Sequence, residues 1–179
     1  MRLFHFSDNA DIDCFVPRPV RTPALRPPGM QWLNGPLVWA IAEDHQRLYL
    51  FPRECPRIVL WARDCTTAAD RQTWLGDTPP GTSAVAYIET SWLQRIERET
   101  LTRYELPLDG FQDIDDVGMW VSSATVVPSR ATRITDLKAE LAACRTELRV
   151  VESLRPLKPA WNSSVHASGI RLRNAADWS

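Results

Sequence analysis

His5 stands between Phe4 and Phe6 and is followed at once by Ser7 and Asp8. In an extended run its imidazole points away from both phenylalanines, and its nitrogens then need a backbone partner, solvent or a ligand. Two readings follow. His5 is either a core histidine bonded to a backbone carbonyl, or a group that positions a hydroxyl-bearing ligand with Ser7 beside it at the strand end. A second set begins at Trp39, which lies inside the apolar run Leu37 to Ile41 with Val38 and Ala40 turned to the other face. Tyr49, Arg53 and Glu54 come soon after. A stacking ring, a phenol and a guanidinium suit a nucleotide-like ligand, because Arg pairs phosphate bidentately and rings stack on a base. The plainer alternative makes Trp39 and Tyr49 core residues and pairs Arg53 and Arg57 with Glu54 or Asp64.

Other groups carry less. Asp113, Asp115 and Asp116 crowd one segment without further ligands at a fixed spacing, so they read as a solvated acidic loop and no metal is expected. Ser, His and Asp are too far apart to argue a triad, and no GxSxG elbow occurs. The glycines never cluster, which excludes a P-loop and a dinucleotide fingerprint. Cys14, Cys55, Cys65 and Cys144 form no CxxC and have no His at zinc spacing. They are expected as reduced, semi-buried thiols. His45 and His166 are expected at the surface.

The elements that must hold these groups follow from periodicity. Arg2 to Phe6, Leu37 to Ile41, Ile58 to Ala62, Ser83 to Ile88, Leu101 to Leu106 and Gly118 to Val127 read as strands. Ile12 to Val16 suits a helical turn or an extended piece equally. From 17 to 29, Pro17, Pro19, Pro23, Pro27 and Pro28 interleave with Arg18, Arg21 and Arg26. Such density excludes helix and central strand and predicts a stiff surface loop whose arginines, with Arg2, offer a basic rim. Glu43 to Leu50 predicts a short helix. Thr66 or Thr67 can cap another that runs to Leu75, with Asp70 in capping-box position and Gly76 just past the end. Ser91 is expected to cap a helix to about Glu99, and Thr135 one carried by Leu137, Leu141, Cys144 and Leu148. The end of that last helix stays open, because Glu147 to Val151 also suits a strand. Ile170 to Arg173 alternates like a half-exposed strand.

Strands separated by short helices, without a regular βαβ rhythm, predict an α+β fold. The expectation is one compact domain over residues 1–179, with a mixed or mainly antiparallel twisted sheet and short flanking helices. A hydrophobic share of 44% and a charged share of 24% fit a globular chain able to bury a core. A net charge of −1 carries no footprint for nucleic acid or an anionic membrane. With no leader-like apolar segment at the start and no span of about 20 apolar residues, a cytoplasmic location is expected. The 14 prolines against 7 glycines predict rigid connections, and the 8 tryptophans are expected mostly half-buried.

The strings FHFSD, PLVWAI, YLFPRECPRI, GMWVS and GIRLRNA resemble a bacterial protein family of unknown function, along nearly the whole chain. A second resemblance, over three short motifs, is to the ADP-ribosyltransferase-like superfamily. Those enzymes place a His on the first strand, an aromatic on the second just ahead of a short helix, and a Glu near a later strand. His5 and either Trp39 or Tyr49 match the first two by position. Gly118 or Met119 stands where the acid is expected, and Asp115 and Asp116 lie just upstream. The resemblance implies NAD as the bound cofactor and cleavage of its nicotinamide–ribose bond. His5 would hold the ribose, the aromatic would stack on nicotinamide, and a carboxylate would face the oxocarbenium-like centre. Ser7 and Arg53 complete the expected ligand contacts. Without such a carboxylate, the expectation is a nucleotide-binding or protein-interaction module instead of an enzyme.

Overall fold

The computed structural model of the chain describes residues 1–178, so Ser179, the last residue of the expected domain, lies outside the described residues. The strands, in chain order, are β1 Leu3–Ser7, β2 Val38–Ala42, β3 Arg57–Trp61, β4 Ala84–Glu89 and β5 Leu101–Leu106. They continue with β6 Gln112–Asp113, β7 Met119–Ser122, β8 Arg130–Ile134, β9 Thr146–Val151 and β10 His166–Ile170. Three α-helices, α1 Ala68–Trp74, α2 Leu93–Arg98 and α3 Leu137–Ala143, are short. The fold is α+β, with two separate sheets instead of the single one expected. Contacts group the chain into two compact units, Met1–Gln46 with Leu101–Arg133, and Arg47–Thr100 with Ile134–Ser179.

The first unit carries the sheet of order β6-β7-β2-β1-β5-β8. Strand β1 lies antiparallel between β2 and β5, with Phe4 opposite Ile41 and His5 opposite Tyr104. Alternation sends Leu3, Val38, Ala40, Ala42, Tyr104 and Leu106 to one face, where Phe15 and Val126 close over them. The other face gathers Trp39 and Val121 with Leu33 and Ile114. The 12–16 piece is extended: Phe15 and Val126 exchange N–H···O bonds of 2.8 and 2.9 Å. As expected, the proline segment is a loop. Arg18 bridges Leu37, and Asn34 brackets Ala24 through both its amide atoms, at 3.2 and 2.9 Å. The predicted long strand at 118–127 stops at Ser122, whose hydroxyl accepts from Ala124 N at 3.2 Å. The predicted 43–50 helix is a 3₁₀ segment, Glu43–Leu48.

The second unit carries the sheet β10-β3-β4-β9. Strand β3 is antiparallel to β4 and β10, and β9 is parallel to β4. Ile58, Leu60, Val85 and Tyr87 pack with Leu75, Leu154, Ala160 and Val165, each fully buried Leu, Ile or Val worth roughly 1.5–3 kcal/mol. Thr67 caps α1, accepting from Asp70 N at 3.1 Å, and Gly76 follows with φ of 60°. The expected capping box is opened, however. Ser164 inserts into it, donating its N–H and hydroxyl to Asp70 Oδ2 at 2.8 and 2.5 Å while its Oγ accepts from Thr67 N at 2.9 Å. Two expected caps differ. Helix α2 begins without a side-chain cap from Ser91, and Asp136, not Thr135, caps α3. The chain beyond α3 takes its strand option as β9. The alternating 170–173 segment is not a strand: β10 ends at Ile170 and Arg171 turns left-handed at φ 57°.

Two charged side chains are buried in this unit. Arg57, 3% exposed, has no carboxylate bonded to it. Its Nε and Nη2 donate to the Leu48 carbonyl at 3.0 and 2.7 Å, its Nη1 donates to the Cys55 carbonyl at 3.0 Å, and Tyr49 and Phe51 flank it. Burial holds its pKa down at about 10. For Arg57 this corrects the alternative that paired it with Glu54 or Asp64. Glu89 accepts from backbone N–H groups, Ala176 at 3.0 Å and Leu154 at 3.3 Å, and so fastens the C-terminal segment to the end of β4. Among the described residues no helix is long and apolar enough to cross a membrane.

Candidate functional site

His5 is half-buried on the Phe15 face of β1, its ring 4.6 Å from that of Phe15. Its Nδ1 lies 2.8 Å from the Trp39 carbonyl oxygen. A carbonyl only accepts, so Nδ1 carries a proton in this contact. The β1–β2 pairing ends at Phe4 and Ile41, and beyond it the imidazole bonds the Trp39 carbonyl. Tyr104 stands opposite His5 and contacts Phe15 edge-on at 5.3 Å. Its hydroxyl donates to Asn9 O at 2.9 Å and accepts from Ile12 N at 3.1 Å, holding the loop that carries Phe15. Phe15 and Tyr104 were not among the expected site residues. Their only trace in the sequence is an aromatic within a strand-like run, which is also the trace of core.

Trp39 is half-buried, and its ring projects to the opposite face from His5, into the cluster with Leu33, Val121, Met30 and Met119. The two meet through the Trp39 backbone, not through their rings. The guanidinium of Arg26, from the proline loop, lies over the indole at 5.7 Å, within cation–π range. The indole Nε1 and the Arg26 Nε are both buried and both lack an acceptor. The basic rim expected from the proline loop thus contributes one arginine to the Trp39 face, while Arg18 and Arg21 are exposed.

Ser7 is half-buried at the strand end, its hydroxyl accepting from Asn9 N at 3.1 Å. Asp115 and Asp116 are exposed on the turn between β6 and β7, where Ile114 joins the Trp39 cluster. Asp115 N donates to Asp113 Oδ1 at 2.9 Å. Gly118 is one of the two positions, with Met119, at which the resemblance expects an acid. Its φ is +71°, and a Cβ there would lie 2.7 Å from His45 Nδ1, so a side chain at 118 is strained by conformation and must displace His45. His45 is accordingly half-buried against this turn, and His166 is stacked on Trp61 at 4.0 Å, so neither is the surface residue expected. Tyr49 and Arg53 belong to the second unit, where Tyr49 flanks Arg57 and Arg53 is exposed. No group of His, Cys, Asp and Glu among the described residues has the geometry to hold a metal. Cys14 and Cys65 are exposed and Cys144 is half-buried; only Cys55 is fully buried, and burial pushes its thiol up to about 12.

No curated protein and no solved structure matches the chain. A family model described as "Family of unknown function (DUF6886)" matches residues 4–175. That span holds all of β1 but Leu3, β2 and the Trp39 and Arg26 pair as well as the whole second sheet, and the chain belongs to this family of unknown function.

Proposed function

We propose that the chain is a ligand-binding protein whose first unit takes a small nucleotide-like ligand, NAD among them, at Trp39 and Arg26. The pair of desolvated donors carries this reading. Indole Nε1 and the Nε of Arg26, whose guanidinium lies over that indole, are both buried without an acceptor. Leaving such donors unmet costs roughly 1–3 kcal/mol each. A phosphate oxygen accepts from both, and a base can stack on the indole once the arginine turns to the phosphate.

Transfer of ADP-ribose is the finer form of the proposal. In it His5 holds the ribose hydroxyl through Nε2, and Asp115 or Asp116 faces the oxocarbenium-like centre. The opposite faces taken by His5 and the Trp39 ring favour binding without cleavage. Calorimetric titration with NAD, ADP-ribose and ADP tests both, with nicotinamide release read in parallel. Saturable binding is expected, abolished in Arg26→Gln and weakened about tenfold in Trp39→Phe, which keeps the ring and loses the N–H. Absence of heat at millimolar ligand overturns the binding reading. Nicotinamide release that disappears in His5→Ala establishes cleavage of the nicotinamide–ribose bond, and ADP-ribose found on a protein acceptor, not free in solution, distinguishes transfer from hydrolysis.

One observation favours a protein-interaction module as a second reading: the proline loop and its flank expose Leu25 completely and Trp32 by 43%. Cross-linking of the full chain in cell extract, compared with a Leu25→Ser/Trp32→Ser variant, distinguishes the two. A partner lost in the variant, with nucleotide binding absent in both, supports the module.

A further inference from the structure

We infer a second anion site, for a small phosphate ester, in the hollow between the end of α1 and the start of β4. The hollow encloses about 270 Å³ and lies wholly within the second unit. That volume is at the small end for a ligand site, enough for a phosphate carrying a few carbons. Leu75 and Val85 supply an apolar wall, and Arg71, Thr78, Thr82 and Ser83 supply the polar groups.

Its cation is uncommitted. The Arg71 guanidinium makes no side-chain hydrogen bond or ion pair among the described residues, and neither the Thr78 nor the Thr82 hydroxyl is bonded. Of the neighbouring carboxylates, Asp70 accepts from Ser164 and Glu147 pairs bidentately with Arg149 at 3.0 and 2.9 Å, while Asp77 stands exposed in the turn itself. The rim is also held in shape. Pro79 and Pro80 stiffen the turn, Gly76 and Gly81 take φ of 60° and 86°, and Arg145 fixes its β4 end. Arg145 Nε donates to Gly81 O at 2.6 Å, and its carbonyl accepts from Ser83 N at 2.7 Å. A guanidinium and two hydroxyls set around a rigid concave turn match the three oxygens of a phosphate monoester, whose charge-assisted bonds are the stronger kind.

The test is a thermal-shift titration of the full chain with inorganic phosphate and with glycerol 3-phosphate, sodium chloride holding ionic strength constant. Saturable stabilisation by both is expected, tighter for the ester if Leu75 and Val85 contact its carbons. Arg71→Gln should abolish the shift while leaving the ligand-free melting temperature unchanged, since Arg71 is exposed. Thr78→Val should weaken binding about tenfold, and Trp39→Phe should leave it intact. The site is overturned if neither phosphate stabilises beyond the chloride control, or if Arg71→Gln binds as the parent does. It is overturned equally if Trp39→Phe removes the effect, which assigns the phosphate to the first unit.

Discussion

Arg57 is a buried cation whose hydrogen bonds are all to main-chain carbonyls, those of Leu48 and Cys55. Arg57→Met keeps most of the volume and orphans both acceptors, at roughly 1–3 kcal/mol each. Urea denaturation should therefore show a loss of about 2–5 kcal/mol, and a change within about 0.5 kcal/mol, the range of an ordinary surface substitution, would contradict the account. Next to it, the Cys55 thiol is raised to about 12 by burial and should resist iodoacetamide at pH 8. Cys14 and Cys65 should label at once and Cys55 only after unfolding, which peptide mass spectrometry reads directly. His5 has a measurable structural share as well. His5→Ala frees the Trp39 carbonyl of its 2.8 Å partner, so a stability loss of about 1–3 kcal/mol is expected whether or not ligand is present.

The joint between α1 and the segment before β10 is the most explicit at the scale of elements. Thr67→Ala removes the N-cap and should cost about 1 kcal/mol. Asp70 is held below its ordinary 3.8 chiefly by the Ser164 hydroxyl, then by the Ser164 N–H. A carboxyl with a lowered folded pKa contributes stability above its unfolded pKa and loses it as pH falls through the folded value. The parent should therefore lose melting temperature more steeply than Asp70→Asn as pH drops below 3.8. Parallel slopes would show that Ser164 does not hold the carboxylate in solution. Gly118 makes a comparable demand on the β6–β7 turn, because a side chain at its positive φ is strained and must displace His45.

Across the whole chain, each unit is made from two separated stretches of sequence. The fragment 1–100 therefore contains β1 to β4 but lacks β5 beside β1 and both β9 and β10. Every sheet in it has lost hydrogen-bonded neighbours, and its exposed edges invite association. Circular dichroism should find this fragment unfolded or aggregated; a cooperative thermal transition would refute the interwoven division. Trypsin offers a complementary measurement. It should cut first at Arg21, exposed in the proline loop and followed by Thr22, and leave the sheets intact.

Local chemistry determined much of this. The Thr67 cap, the Gly76 stop, the stiff proline loop and the alternation of β1, β2 and β5 follow from neighbours a few residues apart, and such interactions are written in sequence. So was the α+β class, because strand and helix periods differ and need no partner to be told apart. Pairing was not. That the alternating 170–173 segment yields to β10 at His166–Ile170, and that Thr146–Val151 leaves the helix for a place beside β4, depends on which edge of a sheet is open. The site depended on facing in the same way. Adjacent strands bring His5 to the Trp39 carbonyl while the pleat sends the two rings to opposite faces. Arg26, 13 positions from Trp39 in an irregular loop, reaches the indole because Asn34 and Leu37 anchor that loop. No periodicity spans such a distance; only the folded backbone brings the two together.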